Sequence, residues 1–342
     1  MLFKYILRSS LYNNYHHRYY HRIRDHLSEP EWLQTQHLSG LPIIHEERYV
    51  CSLPPNHRFK MKKFHYLYQI LLKDEVINEK KQVIRPQQIS EEITCLVHTP
   101  QYTHTFFNGL TTPKEQRRTG FVWTPGLVSR VRYETGGTLL AGRLSMECGL
   151  SCSTGGGTHH AFPTHGSGYC LVNDLAVTAR QLLHSGLANK VLIVDLDVHQ
   201  GDGTAYIFQA DPNVFTLSLH CQDNFPFHKQ SSDLDVGLRV GIADHEYMKI
   251  LTDTLPGILD DTQPDIILYD AGVDPHQHDQ LGRLKLTDQG LYDRDLYVLK
   301  SGVCRGIPVA CVIGGGYDDI HKLSARHTII HRVATVIWNT YL

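Results

Sequence analysis

Lys190-Val191-Leu192-Ile193-Val194-Asp195-Leu196-Asp197-Val198-His199-Gln200-Gly201-Asp202 is the stretch on which the fold turns. Its first half is a short apolar, β-branched run of the kind that forms a buried strand. Its second half puts three carboxylates and an imidazole where that strand ends. In open parallel α/β sheets, ligands bind at the carboxyl ends of the strands. Asp197 and His199 are two apart, so on extended chain both point to one face. A carboxylate and an imidazole on one face make half of a metal site. Ionisable groups packed this closely behind a buried strand are costly without partners.

The same rule applied elsewhere finds more of the site. Asp265–Tyr269 is another buried-strand pattern, and it runs into Asp270-Ala271-Gly272-Val273-Asp274. Pro308–Ile313 is a third, ending in Gly314-Gly315-Gly316-Tyr317, and Val214–His220 is a fourth. Upstream, Gly155-Gly156-Gly157-Thr158-His159-His160-Ala161 is a glycine loop carrying adjacent histidines. Helices are expected over Gly137–Cys148, Asn173–His184, Asp202–Phe208, His245–Asp260, Asp288–Val303 and Ile320–Trp338. Thr287 stands as N-cap of the fifth. Strands alternating with helices predict an α/β fold: one open parallel sheet flanked by helices. Phe225-Pro226-Phe227 and Pro275–Arg283 are expected as loops over the site.

Composition sets bounds. A chain of 342 residues, 41% hydrophobic, can build one large core. A net charge of −2 without a basic stripe argues against direct nucleic-acid binding. Of 23 histidines, His16, His17, His21 and His26 crowd the amino end, and a histidine outside a motif is assigned no role. The eight cysteines show no paired zinc-ribbon spacing and are read as reduced thiols, which suits an intracellular protein of cytoplasm or nucleus. No apolar run reaches membrane-spanning length.

Residues 1–40 form an amino-terminal extension before a catalytic domain over 41–342. Lys4, Arg8, Arg18, Arg22 and Arg24 precede the first acidic residue, Asp25, and Leu2, Phe3, Ile6 and Leu7 give a short apolar face. Basic, acid-poor and amphipathic is the composition of a mitochondrial transit peptide; a disordered tail is the alternative.

Taken together, the chain from about Leu41 to Trp338 resembles the zinc-dependent histone deacetylases, most closely their bacterial-type and class IV branch. Asp270-Ala271-Gly272-Val273-Asp274-Pro275-His276 and Gly314-Gly315-Gly316-Tyr317 carry the resemblance, with Leu53–Phe59 and His98–Tyr102 in the right order before them. The resemblance implies a single arginase-like α/β domain. It implies that Asp197, His199 and Asp274 hold one divalent ion, Zn2+ or with the same ligands Fe2+, and leave a position open for water and substrate.

It further implies that Asp195 orients His159 and Asp202 orients His160, with His160 the principal general base and acid and His159 an electrostatic partner. Tyr317 would donate to the oxyanion of a tetrahedral intermediate. Gly168, Tyr169 and Phe227, or Phe225 in its place, would form a tunnel for an acyl-lysine stem. Arg58 would line the inner end of that cavity. A structural K+ would take Asp195, the carbonyls of Asp197, His199 and Leu219, and Ser218. The chain departs from many relatives at Gln280, where Asp279-Gln280-Leu281-Gly282 replaces an Asp-Arg-Leu-Gly sequence. The implied activity is hydrolysis of acyl-lysine in proteins; acetylpolyamines or other small amides are the alternative substrates, and a catalytically quiet acyl-lysine-binding protein the alternative role.

Overall fold

The structure, a computed structural model, describes residues 26–342. Its centre is one parallel sheet of eight strands in the order β2-β1-β3-β8-β7-β4-β5-β6. The strands are β1 (Ile43–Ile44), β2 (Val83–Ile84), β3 (Leu150–Ser153), β4 (Val191–Asp195), β5 (Val214–Cys221), β6 (Leu234–Leu238), β7 (Ile266–Asp270) and β8 (Val309–Val312). Side chains along a strand alternate between faces. In β4, Val191 and Ile193 enter one hydrophobic core while Leu192 and Val194 enter the other. β7 and β8 divide in the same way. Both faces are therefore covered, which is why these strands read as continuous apolar runs rather than alternating ones.

One core is closed by the helices Asp174–His184 and Pro125–Cys148, through Leu175, Leu182, Leu140 and Leu144. The other is closed by the helices Lys63–Lys73, Asp244–Thr262, Asp288–Val303 and Ile320–Tyr341, through residues such as Leu67, Leu255, Val298 and Val333. All eight cysteines are free thiols. Among the described residues, no helix is long and apolar enough to cross a membrane.

Two expectations shift. The helix expected from Gly137 starts at Pro125, where the Thr124 side chain accepts the amide of Leu127 as N-cap. Gly136 and Gly137 lie inside it because neighbours leave no room for a side chain. A Cβ at Gly136 would sit 2.0 Å from Gln87 O, and one at Gly137 would sit 1.9 Å from Tyr49 Oη. Strands β1, β2, β3 and β6 were not expected at all; β1 and β2 are two residues each, too short to show a period.

The boundary expected at residue 40 falls inside packed structure. Helix Glu29–Thr35 is closed by a Ser28/Glu31 capping box, and Leu27, Trp32 and Leu38 pack on the sheet-side core. Glu31 Oε1 accepts from Gln87 N at 3.1 Å, and Gln34 Oε1 accepts from Arg85 N at 2.8 Å. Of the stretch 1–40 to which the targeting or tail expectation applies, residues 1–25 lie outside the described residues. A chain starting at Leu41 is expected to melt on the order of 5 °C below one starting at His26, because each buried apolar side chain is worth roughly 1.5–3 kcal/mol. Equal melting temperatures would show that the helix contributes nothing.

Candidate active site

Register brings the loops together. Asp195 at the end of β4 lies opposite Ser218 of β5 and Asp270 of β7, and Asp270 lies opposite Val312 of β8. The chain therefore leaves β4, β7 and β8 at one level, with β3 paired to β8 beside them. Asp197 and His199 follow β4, Asp274 follows β7, Tyr317 follows β8, and the His159–His160 pair follows β3.

Asp197, His199 and Asp274 bring one donor atom each within 4.8 Å of one another, all buried. His199 Nδ1 lies 2.9 Å from Asp197 Oδ1 and 3.2 Å from Asp274 Oδ2. Val198 N donates to Asp274 Oδ1 at 2.8 Å, and Gly315 N donates to Asp197 Oδ2 at the same distance. Asp274 Oδ2 is buried and, beyond its 3.2 Å approach to His199 Nδ1, makes no hydrogen bond. An orphaned carboxylate oxygen aimed into a cluster of nitrogen and oxygen donors fits a divalent cation. Burial opposes a charge on His199, yet its hydrogen bond to Asp197 and the nearby Asp274 carboxylate push its pKa up to about 10.

Gly315 guards this geometry, since a Cβ there would lie 2.2 Å from Asp274 Oδ2 and 2.6 Å from Asp197 Oδ2. Gly315→Ala is expected to lower divalent-metal retention at least ~10-fold, since distorting a ligand's surroundings typically costs that much. Full metal content in the alanine variant would show that the loop relaxes without disturbing the ligands.

His159 Nδ1 lies 2.7 Å from Asp195 Oδ2, and His160 Nδ1 lies 2.6 Å from Asp202 Oδ1. The rings are 4.1 Å apart. Their electrostatics differ. Burial disfavours charge on His159, but Asp195 and Asp197 outweigh it and hold its pKa well above the ordinary histidine value. At His160, burial and then the neighbouring His159 pull the pKa down to about 4, against Asp202. The surroundings thus favour charge on His159 and oppose it on His160.

Asp270 was not assigned a role from the sequence, yet it clusters with His159 and Asp195, and both its oxygens lack partners. Burial, reinforced by Asp195, raises its pKa well above the usual carboxylate value. Asp174 was also passed over. It accepts the amides of Gly157 at 3.0 Å and Thr158 at 2.7 Å, and so shapes the loop that presents the histidines. Asp279 accepts Tyr317 N at 2.7 Å and the amides of Leu281 and Gly282, tying the Tyr317 loop to the Asp274 loop. Asp and Gly within such loops were the available signal, but their partners are far away in sequence.

Of the residues expected around a potassium ion, Asp195 and Ser218 are neighbours in register, and Asp197, His199 and Leu219 are buried beside them. Ser218 Oγ also lies 3.0 Å from His220 Nδ1.

Above the cluster, Tyr317 is nearly buried, its ring 6.2 Å from His199 and 5.9 Å from Tyr169. Gly168 faces the same space. A Cβ there would meet His160 Cδ2 at 2.7 Å and Phe225 Cε1 at 3.0 Å. Of the two aromatic candidates, Phe225 is the one in the wall, 4.9 Å from the His160 ring, whereas Phe227 is 87% exposed on the outer rim. Only Phe225 can flank a buried stem. Arg58 lines the outer basin. The inner cavity is lined by Lys63, Arg130 and Glu134. Lys63 Nζ donates to Gly314 O at 3.2 Å, and burial draws its pKa down to about 8.

The sequence profile of the histone deacetylase domain matches residues 57–333. An uncharacterized protein of Picosynechococcus sp. is 50% identical over 300 residues, covering 87% of this chain and all of that one. Histone deacetylase 2 of Arabidopsis thaliana is 27% identical over 85% of this chain and 81% of its own. The acetoin utilization protein AcuC of Staphylococcus aureus is 27% identical over 90% of this chain and 85% of its own. The crystal structure of the HDA15 HD domain superposes with a TM-score of 0.74 at 22% identity, covering 87% of this chain and 88% of that one. At that identity the superposition speaks to the fold.

Proposed function

The chain belongs to the histone deacetylase family, and from that premise we propose that it is a metal-dependent amidohydrolase that removes acyl groups from lysine side chains or comparable amines. The observation that carries this reading is the buried Asp197–His199–Asp274 cluster with its orphaned Asp274 oxygen, set beneath two carboxylate-paired histidines. Zinc is the preferred ion for such a donor set, with Fe2+ compatible, and K+ near Asp195 and Ser218 is proposed as a structural ion. A divalent ion held there would polarise the amide carbonyl and acidify water.

The protein's own groups supply the rest. Phe225, Gly168 and Tyr169 enclose an aliphatic stem and exclude water from around the scissile bond. Neutral His160, held in one tautomer by Asp202, takes a proton from the attacking water and delivers one to the departing nitrogen. The C–N bond breaks, the water oxygen ends on the acyl carbon, and the amine leaves protonated. His159, paired with Asp195, contributes positive charge as the carbonyl oxygen becomes an oxyanion. The Tyr317 hydroxyl donates to that oxygen.

A mass-spectrometric screen of purified, metal-loaded protein against acetyl-lysine peptides, longer acyl-lysine peptides and acetylpolyamines tests the activity; silence across the panel overturns it. In the same assay His160→Ala should lower turnover by roughly 100-fold or more, the usual cost of a lost general acid–base, with metal content retained. Parent-like turnover would move the proton-transfer role to another residue.

A further inference from the structure

The tunnel opens into a basin of about 470 Å³ whose lining includes Arg58, Arg117, Arg118 and Arg283. All four side chains are exposed, and none has a carboxylate within ion-pair distance among the described residues. Asp223 is the one carboxylate in the lining. This concentration runs against the chain as a whole, whose net charge is −2. It is also built from three separate places. Arg117 and Arg118 come from the last turn of the helix Pro113–Thr119, Arg58 from the loop before the helix Lys63–Lys73, and Arg283 from the loop after Asp274. Arg283 Nη1 reaches Asp223 O at 3.5 Å, which holds it at the rim rather than away in solvent.

Resting on the deacetylase reading above, we propose that the preferred substrate is an acylated amine set among carboxylates, and that the arginine rim selects it. A concave site lined by one sign of charge concentrates the opposite charge and repels its own. A polyamine or a lysine-rich tail would bring cations to unpaired guanidiniums. A carboxylate near the acyl-lysine finds a planar donor fork instead. Four arginines around one opening form a local ring rather than a stripe along which a nucleic-acid backbone could run. The carboxylates can come from acidic residues flanking an acyl-lysine or from the free carboxylate of an acylated amino acid.

The test uses the metal-loaded full chain and three peptides with the same central acetyl-lysine, flanked by Glu, Ser or Lys. Free Nε-acetyl-lysine is assayed beside its C-terminal amide to separate the two carboxylate sources. Calorimetric binding of the same three sequences, carrying an uncleavable acyl-lysine analogue, runs in parallel. The Glu-flanked peptide is expected to show kcat/KM at least ~10-fold above the Lys-flanked one at low salt, with the ratio shrinking as added salt screens the rim. Arg117→Glu with Arg118→Glu should invert the order, and Arg283→Glu, on a different loop, should narrow it. Turnover that favours Lys, or that ignores the flanks and does not distinguish free Nε-acetyl-lysine from its amide, overturns the rim proposal and leaves the deacetylase reading standing. Absent turnover with tighter binding of the Glu-flanked analogue overturns the deacetylase reading and supports the rim. A preference for the free acid over its amide, without flank dependence, assigns the rim to small acylated amino acids.

Discussion

Asp274→Asn is expected to fold like the parent and to hold no stoichiometric divalent metal. The amide keeps an oxygen for the Val198 amide that Asp274 Oδ1 now accepts at 2.8 Å. It replaces the orphaned Oδ2 by an NH2 group, which cannot ligate a cation. Losing one of three protein ligands from an open site removes the ion and the chemistry it supplies, so turnover should fall on the order of 10⁴-fold. Elemental analysis of parent and variant, beside thermal melting, checks this. About one equivalent of metal in the variant would remove Asp274 from the ligand set. A collapsed melting curve would mean that the Val198 contact, not the ligand, is what the substitution destroys.

Tyr317→Phe should lower turnover by two to three orders of magnitude, on the order of a lost oxyanion donor. The hydroxyl matters more in the transition state than in the ground state, so binding of an uncleaved acyl-lysine analogue should weaken far less. Tyr317 is positioned for this by its backbone. Its amide donates to Asp279 at 2.7 Å and its carbonyl accepts from Gln280 N at 2.8 Å, so the phenylalanine ring should keep the same place. Steady-state kinetics and calorimetry on the two proteins separate the cases. A protein that only binds acyl-lysine would show no turnover before substitution and a change in affinity after it.

Some of this molecule was legible residue by residue. The apolar runs ending in Asp195, Asp270 and Gly314 marked the central strands, because burial on both faces leaves no polar positions in β4, β7 and β8. Parallel strands with helices between them put every strand's carboxyl end on one edge. The polar residues that follow those runs were therefore bound to face a common site. The spacing of Asp197 and His199 is local geometry of the same kind.

What lay beyond reach depends on how distant segments meet. Phe225 and Phe227 differ by two positions in one loop, and only the packing against His160 and Gly168 decides which ring enters the wall. Arg58 turns to the outer basin while Lys63 turns inward, a choice set by where the following helix docks. Gly136 and Gly137 read as a helix start, but they are the crossing point of a long helix with Gln87 and Tyr49. The arginine rim joins residues 58, 117, 118 and 283, and helix Glu29–Thr35 belongs to the domain because it meets Arg85 and Gln87. The sequence by itself determined the central strands β4, β5, β7 and β8, the edge on which the site is built and the residue types gathered there. Tertiary structure alone decided which side chains reach the tunnel and which charges surround its mouth, because periodicity records whether a side chain is buried, whereas its distance from a residue far along the chain is set by strand order and loop path.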